Sequence, residues 1–146
     1  MNAELKAKWL SALRSGAIKQ ARETLQSADG MCCLGVLCTV LPPIPGVLVA
    51  RHGEVEFERC SDKCESLRSK MLVICELGDE GEVRSDVELP GPLLVRLGLL
   101  DWQTLLINMN DGCATWANNP QNFAQIADWI ERNIPADPPV TSSQET

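Results

Sequence analysis

The residues with the most chemical reach in this sequence gather around one cysteine. Cys32 follows the turn signal Asp29-Gly30 and opens an uncharged run. A thiol at a helix start sees the positive end of the helix dipole, which lowers its pKa toward the nucleophilic thiolate. Gln26, six residues earlier, carries an amide able to donate to an oxyanion, and His52, the one histidine in the chain, can serve as a base. These three residues sketch a small cysteine-dependent hydrolase acting on a peptide, amide or ester bond. Against that stand the apolar flanks of Cys32, which predict a core thiol, and the placing of His52 in a predicted hairpin, which implies a surface side chain.

Three other groupings carry possible chemistry. The glutamine-to-cysteine spacing matches papain-like enzymes, but the residues that surround their cysteine are absent. Cys60 and Cys64 form one C-x3-C pair, with Cys75 and Cys113 as distant companions. Structural zinc uses two tight pairs, so the sequence predicts neither a metal nor a cofactor. The carboxylates Glu76, Asp79, Glu80, Glu82, Asp86 and Glu88 show no spacing that marks an acid–base pair or a calcium loop. They read as a solvated hairpin or as an acidic edge facing a partner, with Glu80, Glu82 and Glu88 as contact residues. Asn110-Asp111-Gly112 follows the apolar stretch 104–109, read as a strand, and is a candidate binding loop with Trp102 and Trp116 lining a pocket. The competing reading is a plain turn with tryptophans in the core. No phosphate-binding glycine loop, Walker motif or serine-hydrolase elbow is present.

The elements that must position these residues follow from hydrophobic spacing. Residues 2–15 predict a helix: Leu5, Trp9 and Leu13 share one face, Asn2 is a suitable N-cap and Gly16 a suitable stop. Residues 17–28 leave a short helix and an irregular stretch both open. Residues 31–41 hold no charge and end at Pro42-Pro43, which favours a buried helix; Gly35 within it predicts close approach of another backbone. Segments 47–51 and 54–58 predict a hairpin about His52-Gly53, and 71–77 and 82–88 two further strands. Residues 93–100 predict a helix after Pro92, and 120–133 a last helix with Phe123, Ile126, Ala127 and Ile130 on its apolar face. The expected fold class is α+β, with terminal helices packed on a small, mostly antiparallel sheet and a buried helix at 31–41. Residues 1–134 make one domain, and the Pro-, Ser- and Thr-rich stretch 135–146 a disordered tail.

Bulk properties narrow the function classes. The chain has 146 residues and 45% apolar content, enough for one core. No apolar run approaches the roughly 20 residues of a membrane span, and the amphipathic start lacks a secretory h-region, so a cytosolic protein is expected. Residues 1–53 hold six Lys/Arg against three Asp/Glu, whereas 54–146 hold seven against seventeen. That acidic second half argues against nucleic acid as a partner, because such binding rests on cations that neutralise phosphates. Seven cysteines, an odd number without a secretory signal, predict reduced thiols rather than a disulfide framework.

Several segments then line up with a known group. Trp9-Leu10-Ser11-Ala12-Leu13-Arg14-Ser15-Gly16, Gln20, Cys32-Cys33-Leu34-Gly35-Val36-Leu37-Cys38, Leu89-Pro90, Leu97-Gly98-Leu99, Asn110-Asp111 and residues 123–131 agree in order and spacing with it. The chain resembles a family of small proteins encoded by tailed bacteriophages and prophages, over most of its length apart from residues 42–88. Two departures stand out: Thr39 where such proteins carry Asp, and Ile18 in place of an aromatic nearer Gln20. The resemblance implies a phage or prophage origin and expression in a bacterial cytoplasm, and no activity. The expected function is an accessory protein that binds a host protein or sequesters a small molecule, for instance against a host defence system.

Overall fold

A computed structural model describes residues 1–27, 30–44, 47–51, 72–78, 81–85, 88–113 and 119–137 of the chain. Helix α1, Ala3–Arg14, starts where Asn2 Oδ1 accepts from the backbone N–H of Leu5 at 3.0 Å. Its apolar stripe, Leu5, Trp9, Leu10 and Leu13, is buried. Helix α2, Cys33–Val40, is buried from Cys33 to Cys38 and stops at Leu41, whose extended backbone suits the residue before a proline. The expected close approach at Gly35 is present. A Cβ there would lie 1.9 Å from the carbonyl oxygen of Leu25, so only glycine lets α2 sit against that chain segment.

Between α1 and α2 the backbone is irregular until a two-residue strand β1, Gln26–Ser27, pairs antiparallel with β2, Gly30–Met31. Strands β3, Val47–Arg51, β4, Leu72–Gly78, and β5, Gly81–Ser85, form an antiparallel sheet in that order. The β4–β5 hairpin closes at the Gly78↔Gly81 pair, where the sequence places its turn. The expected partner of β3 at 54–58 lies outside the described residues, as does His52; the partner observed is β4, with Val47 opposite Glu76 and Arg51 opposite Leu72.

The chain re-enters the core at Leu89. Gln103, itself buried, takes both backbone groups of that residue: Leu89 N–H donates to Oε1 at 2.7 Å and Nε2 donates to the Leu89 carbonyl at 3.4 Å. Helix α3, Gly91–Leu97, then carries Pro92 in its first turn. Residues 104–109, expected as a strand, belong instead to helix α4, Gln103–Asp111. Gln103, Leu106, Met109 and Asn110 face inward at helical spacing, and Gly112, at φ +78°, supplies the left-handed C-cap. The last helix, α5, Phe123–Asn133, starts three residues after Pro120, at a capping box between Asn122 and Gln125.

The architecture is α+β, as expected. The terminal helices α1 and α5 pack on one another, α1 and α4 pack on α2, and one continuous apolar core joins them. Across the α1–α5 seam Arg14 reaches Glu131 at 2.8 Å and Asp128 at 2.9 Å, and Lys6 Nζ donates to the Ile134 carbonyl at 2.6 Å, a cation at a helix C-terminus. Of the expected tail, Pro135 and Asp137 hydrogen-bond to Met1, and 138–146 lie outside the described residues. Among the described residues no helix is long and apolar enough to cross a membrane.

Candidate functional site

Two candidate groups that are distant in sequence come together in the fold. Cys32, at the N-terminus of α2, and Asn110 and Asp111, at the C-terminus of α4, line one small cleft with Glu23, Thr24, Cys33 and Ile107. Its volume is about 10 Å3, the space of a single water molecule.

Asn110 organises the site. It is fully buried and fully bonded. Its Oδ1 accepts from Gln20 Nε2 at 3.0 Å and from the backbone N–H of Cys33 at 3.2 Å. Its Nδ2 donates to the Ala21 carbonyl and to Asp111 Oδ1, both at 2.9 Å. Gln20 Nε2 also donates to the Gln121 carbonyl at 2.8 Å. Asp111 Oδ1 accepts in addition from the backbone N–H of Glu23 at 3.0 Å. Glu23 holds φ at +63°, the left-handed region that a glutamate rarely adopts. Asn110-Asp111 is therefore a helix end that fastens the irregular segment before β1, not the loop after a strand that its sequence suggested.

Cys32 is the N-cap of α2, and its Sγ accepts from the backbone N–H of Gly35 at 3.4 Å. The expected lowering of its pKa is overturned. Burial pushes the thiol up to about 11, outweighing the pull of the Gly35 and Leu34 backbone N–H groups, and the nearby Asp111 carboxylate raises it further. Burial also raises Cys33, which donates to the Leu106 carbonyl, and carries Cys38 to about 12. Both are core residues, as expected.

The other candidates are placed as follows. Gln26 sits on β1 and is not among the cleft-lining residues; its Oε1 is buried with no hydrogen-bond partner among the described residues. Trp102 is half-buried and stacks edge-on against Trp129, with ring centroids 5.7 Å apart. Glu82 lies on β5 opposite Leu77, and Glu88 is exposed just before Leu89. His52, Glu80, Trp116, Cys60 and Cys64 lie outside the described residues. Cys75 is on β4 and Cys113 is exposed after α4. Among the described residues no group of three or more His, Cys, Asp or Glu is arranged to hold a metal ion. Sequence reasoning missed Gln20, Glu23 and Thr24. A backbone forced to positive φ at a glutamate leaves no mark in residue type, and Gln20 signals its role only through a partner 90 positions away.

Residues 1–62 match a family model described as a domain of unknown function, DUF8296. The match takes in α1, the irregular segment and α2, so it includes Cys32 and the residues that Asn110 and Asp111 fasten, while α4 itself lies beyond it. No curated protein and no solved structure matches the chain.

Proposed function

We propose that this chain is an accessory protein of phage or prophage origin that acts by binding in a bacterial cytoplasm. It engages a host protein or sequesters a small molecule, and action against a host defence system is one use of that kind. The observation that supports binding over turnover is the state of the cleft thiols. Cys32 and Cys33 are buried and held protonated, and the carboxylate facing them, Asp111, opposes thiolate formation. Asn110 uses all of its hydrogen-bonding capacity inside the fold. Groups so engaged hold a shape and move no proton. In this reading the partner meets the acidic edge carrying Glu80, Glu82 and Glu88, and nucleic acid is not the partner.

The experiment is affinity capture from host lysate, with mass spectrometry of both proteins and small molecules. Cys32→Ala and His52→Ala should retain the captured species, and charge reversal at Glu80, Glu82 and Glu88 should lose it. Bond hydrolysis that disappears in Cys32→Ala would overturn binding in favour of the cysteine-dependent hydrolase.

A further inference from the structure

Among the described residues the three-stranded sheet ends on β5, which pairs with β4 on one side only. The register decides which backbone groups of β5 face outward. A two-residue loop closes on a hydrogen-bonded pair, here Gly78↔Gly81, and along an antiparallel ladder such pairs alternate with non-hydrogen-bonded ones. Gly81, Val83 and Ser85 therefore turn their N–H and C=O groups toward β4, opposite Gly78, Glu76 and Ile74. The backbone groups of Glu82 and Arg84 point to the open edge. Such an edge is a template for another strand, and β5 carries neither the lysine nor the proline that commonly blunts one. Its two charged residues are of opposite sign and, two positions apart, share one face. Turned antiparallel about Val83, a second β5 sets its Arg84 opposite Glu82 and its Glu82 opposite Arg84. Both facing pairs join outward backbone groups, so each exchanges two main-chain hydrogen bonds. Opposite charges directly across an antiparallel pair stabilise it, and like charges destabilise it. A register shifted by two residues sets Glu82 or Arg84 against its own copy, and one shifted by a single residue sets outward backbone groups against inward ones.

We propose that β5 is a self-association edge: two copies of this chain pair antiparallel about Val83 and join their sheets into one, in the order β3-β4-β5-β5-β4-β3. The pairing is isologous, and it closes after two copies because each β5 edge is taken up by its mate. It goes beyond the binding function proposed above and does not rest on it. Glu80 and Glu88 lie outside the strand, so the dimer sets two copies of the acidic edge side by side.

The test is sedimentation velocity of the full chain over a concentration series, with the folding of each variant checked by circular dichroism. The native chain should form a dimer. Glu82→Arg and Arg84→Glu, each alone, set like charges across both pairs and should weaken the dimer about tenfold. An equimolar mixture of those two variants should recover it, because each supplies the charges that the other lacks. The double variant Glu82→Arg/Arg84→Glu should recover it as well, since the charges trade places and every pair stays opposite. Arg84→Pro removes an outward N–H without touching the ladder to β4, and it should weaken the dimer too. The proposal falls if the native chain stays monomeric at about 0.1 mM. It falls equally if the single variants dimerise as the native chain does, or if their mixture and the double variant fail to recover association. A dimer insensitive to all these changes would lie on another surface, such as that bearing exposed Val95 and Leu100, and would overturn the proposal. Where one single variant fails to fold, the other and Arg84→Pro still decide.

Discussion

Asn110 and Cys33, 77 positions apart, meet where α2 begins: the Cys33 N–H donates to Asn110 Oδ1 at 3.2 Å. The first N–H groups of a helix have no acceptor within it. Here one of them is satisfied from another helix, and the Gly35 N–H by the Cys32 thiol. The chemistry-bearing residues of the cleft are thus the caps of the central helix.

Removing Asn110 should be costly. Asn110→Ala strands the Cys33 N–H and the Ala21 carbonyl in a fully buried place, and a loss of about 3 kcal/mol is expected in chemical denaturation. Asn110→Asp buries a charge, so its loss at neutral pH should be at least as large and should shrink as acid protonates the new carboxyl. A loss below about 1 kcal/mol for the alanine variant would show that water replaces these bonds.

Cys32 should behave as a cap. Serine is among the best N-caps, so Cys32→Ser should keep the stability of the native chain, while Cys32→Ala should lose about 1 kcal/mol. Equal losses in both variants, measured by urea midpoint, would assign the role to packing of sulfur instead.

The thiols also set an alkaline limit. Cys32 and Cys38 titrate at about 11 and about 12 in the folded chain against an ordinary 9.0, so the native state binds more protons than the unfolded state between those values. Their contribution is whole below pH 9 and is lost as pH rises through 11 to 12, by up to about 1.4 kcal/mol per pH unit for each thiol. Urea midpoints measured from pH 8 to pH 11 should fall accordingly, and less steeply in Cys32→Ser.

Two glycines should answer oppositely to alanine. At Gly35 the new Cβ meets the Leu25 backbone, and a loss of about 3 kcal/mol is expected from thermal or chemical unfolding. At Gly91, the first residue of α3, a Cβ meets nothing within 4 Å, so Gly91→Ala should be neutral or stabilise by about 0.5 kcal/mol.

Much of the fold was legible in the sequence because strong local signals agreed with burial. Asn2, the Leu5–Trp9–Leu13 spacing and Gly16 outlined α1; the uncharged run ended by Pro42-Pro43 outlined α2, and Gly35 its close neighbour. The apolar face Phe123, Ile126, Ala127 and Ile130 is buried as expected. The stretch 104–109 misled because it is short and apolar, and because Asn-Asp-Gly closes a helix as readily as it makes a turn. Reading outward to Gln103 and Asn110 would have revealed the helical period. The site was legible in its residues and not in its logic. Cys32, Asn110 and Asp111 were each singled out, but under separate chemistries, since what joins them is a tertiary contact. The pKa of Cys32 reversed because burial, which a single residue type does not disclose, outweighs a helix N-terminus.

The buried indole of Trp9, whose Nε1 donates to the Cys33 carbonyl at 2.9 Å, makes the junction of α1 with the cap of α2 optically addressable. Its emission should be that of a dry, hydrogen-bonded ring, blue-shifted from that of the half-buried pair Trp102 and Trp129. A chain in which Trp102, Trp116 and Trp129 are replaced by phenylalanine would carry one fluorophore, whose colour reports whether the central helix still holds its first turn.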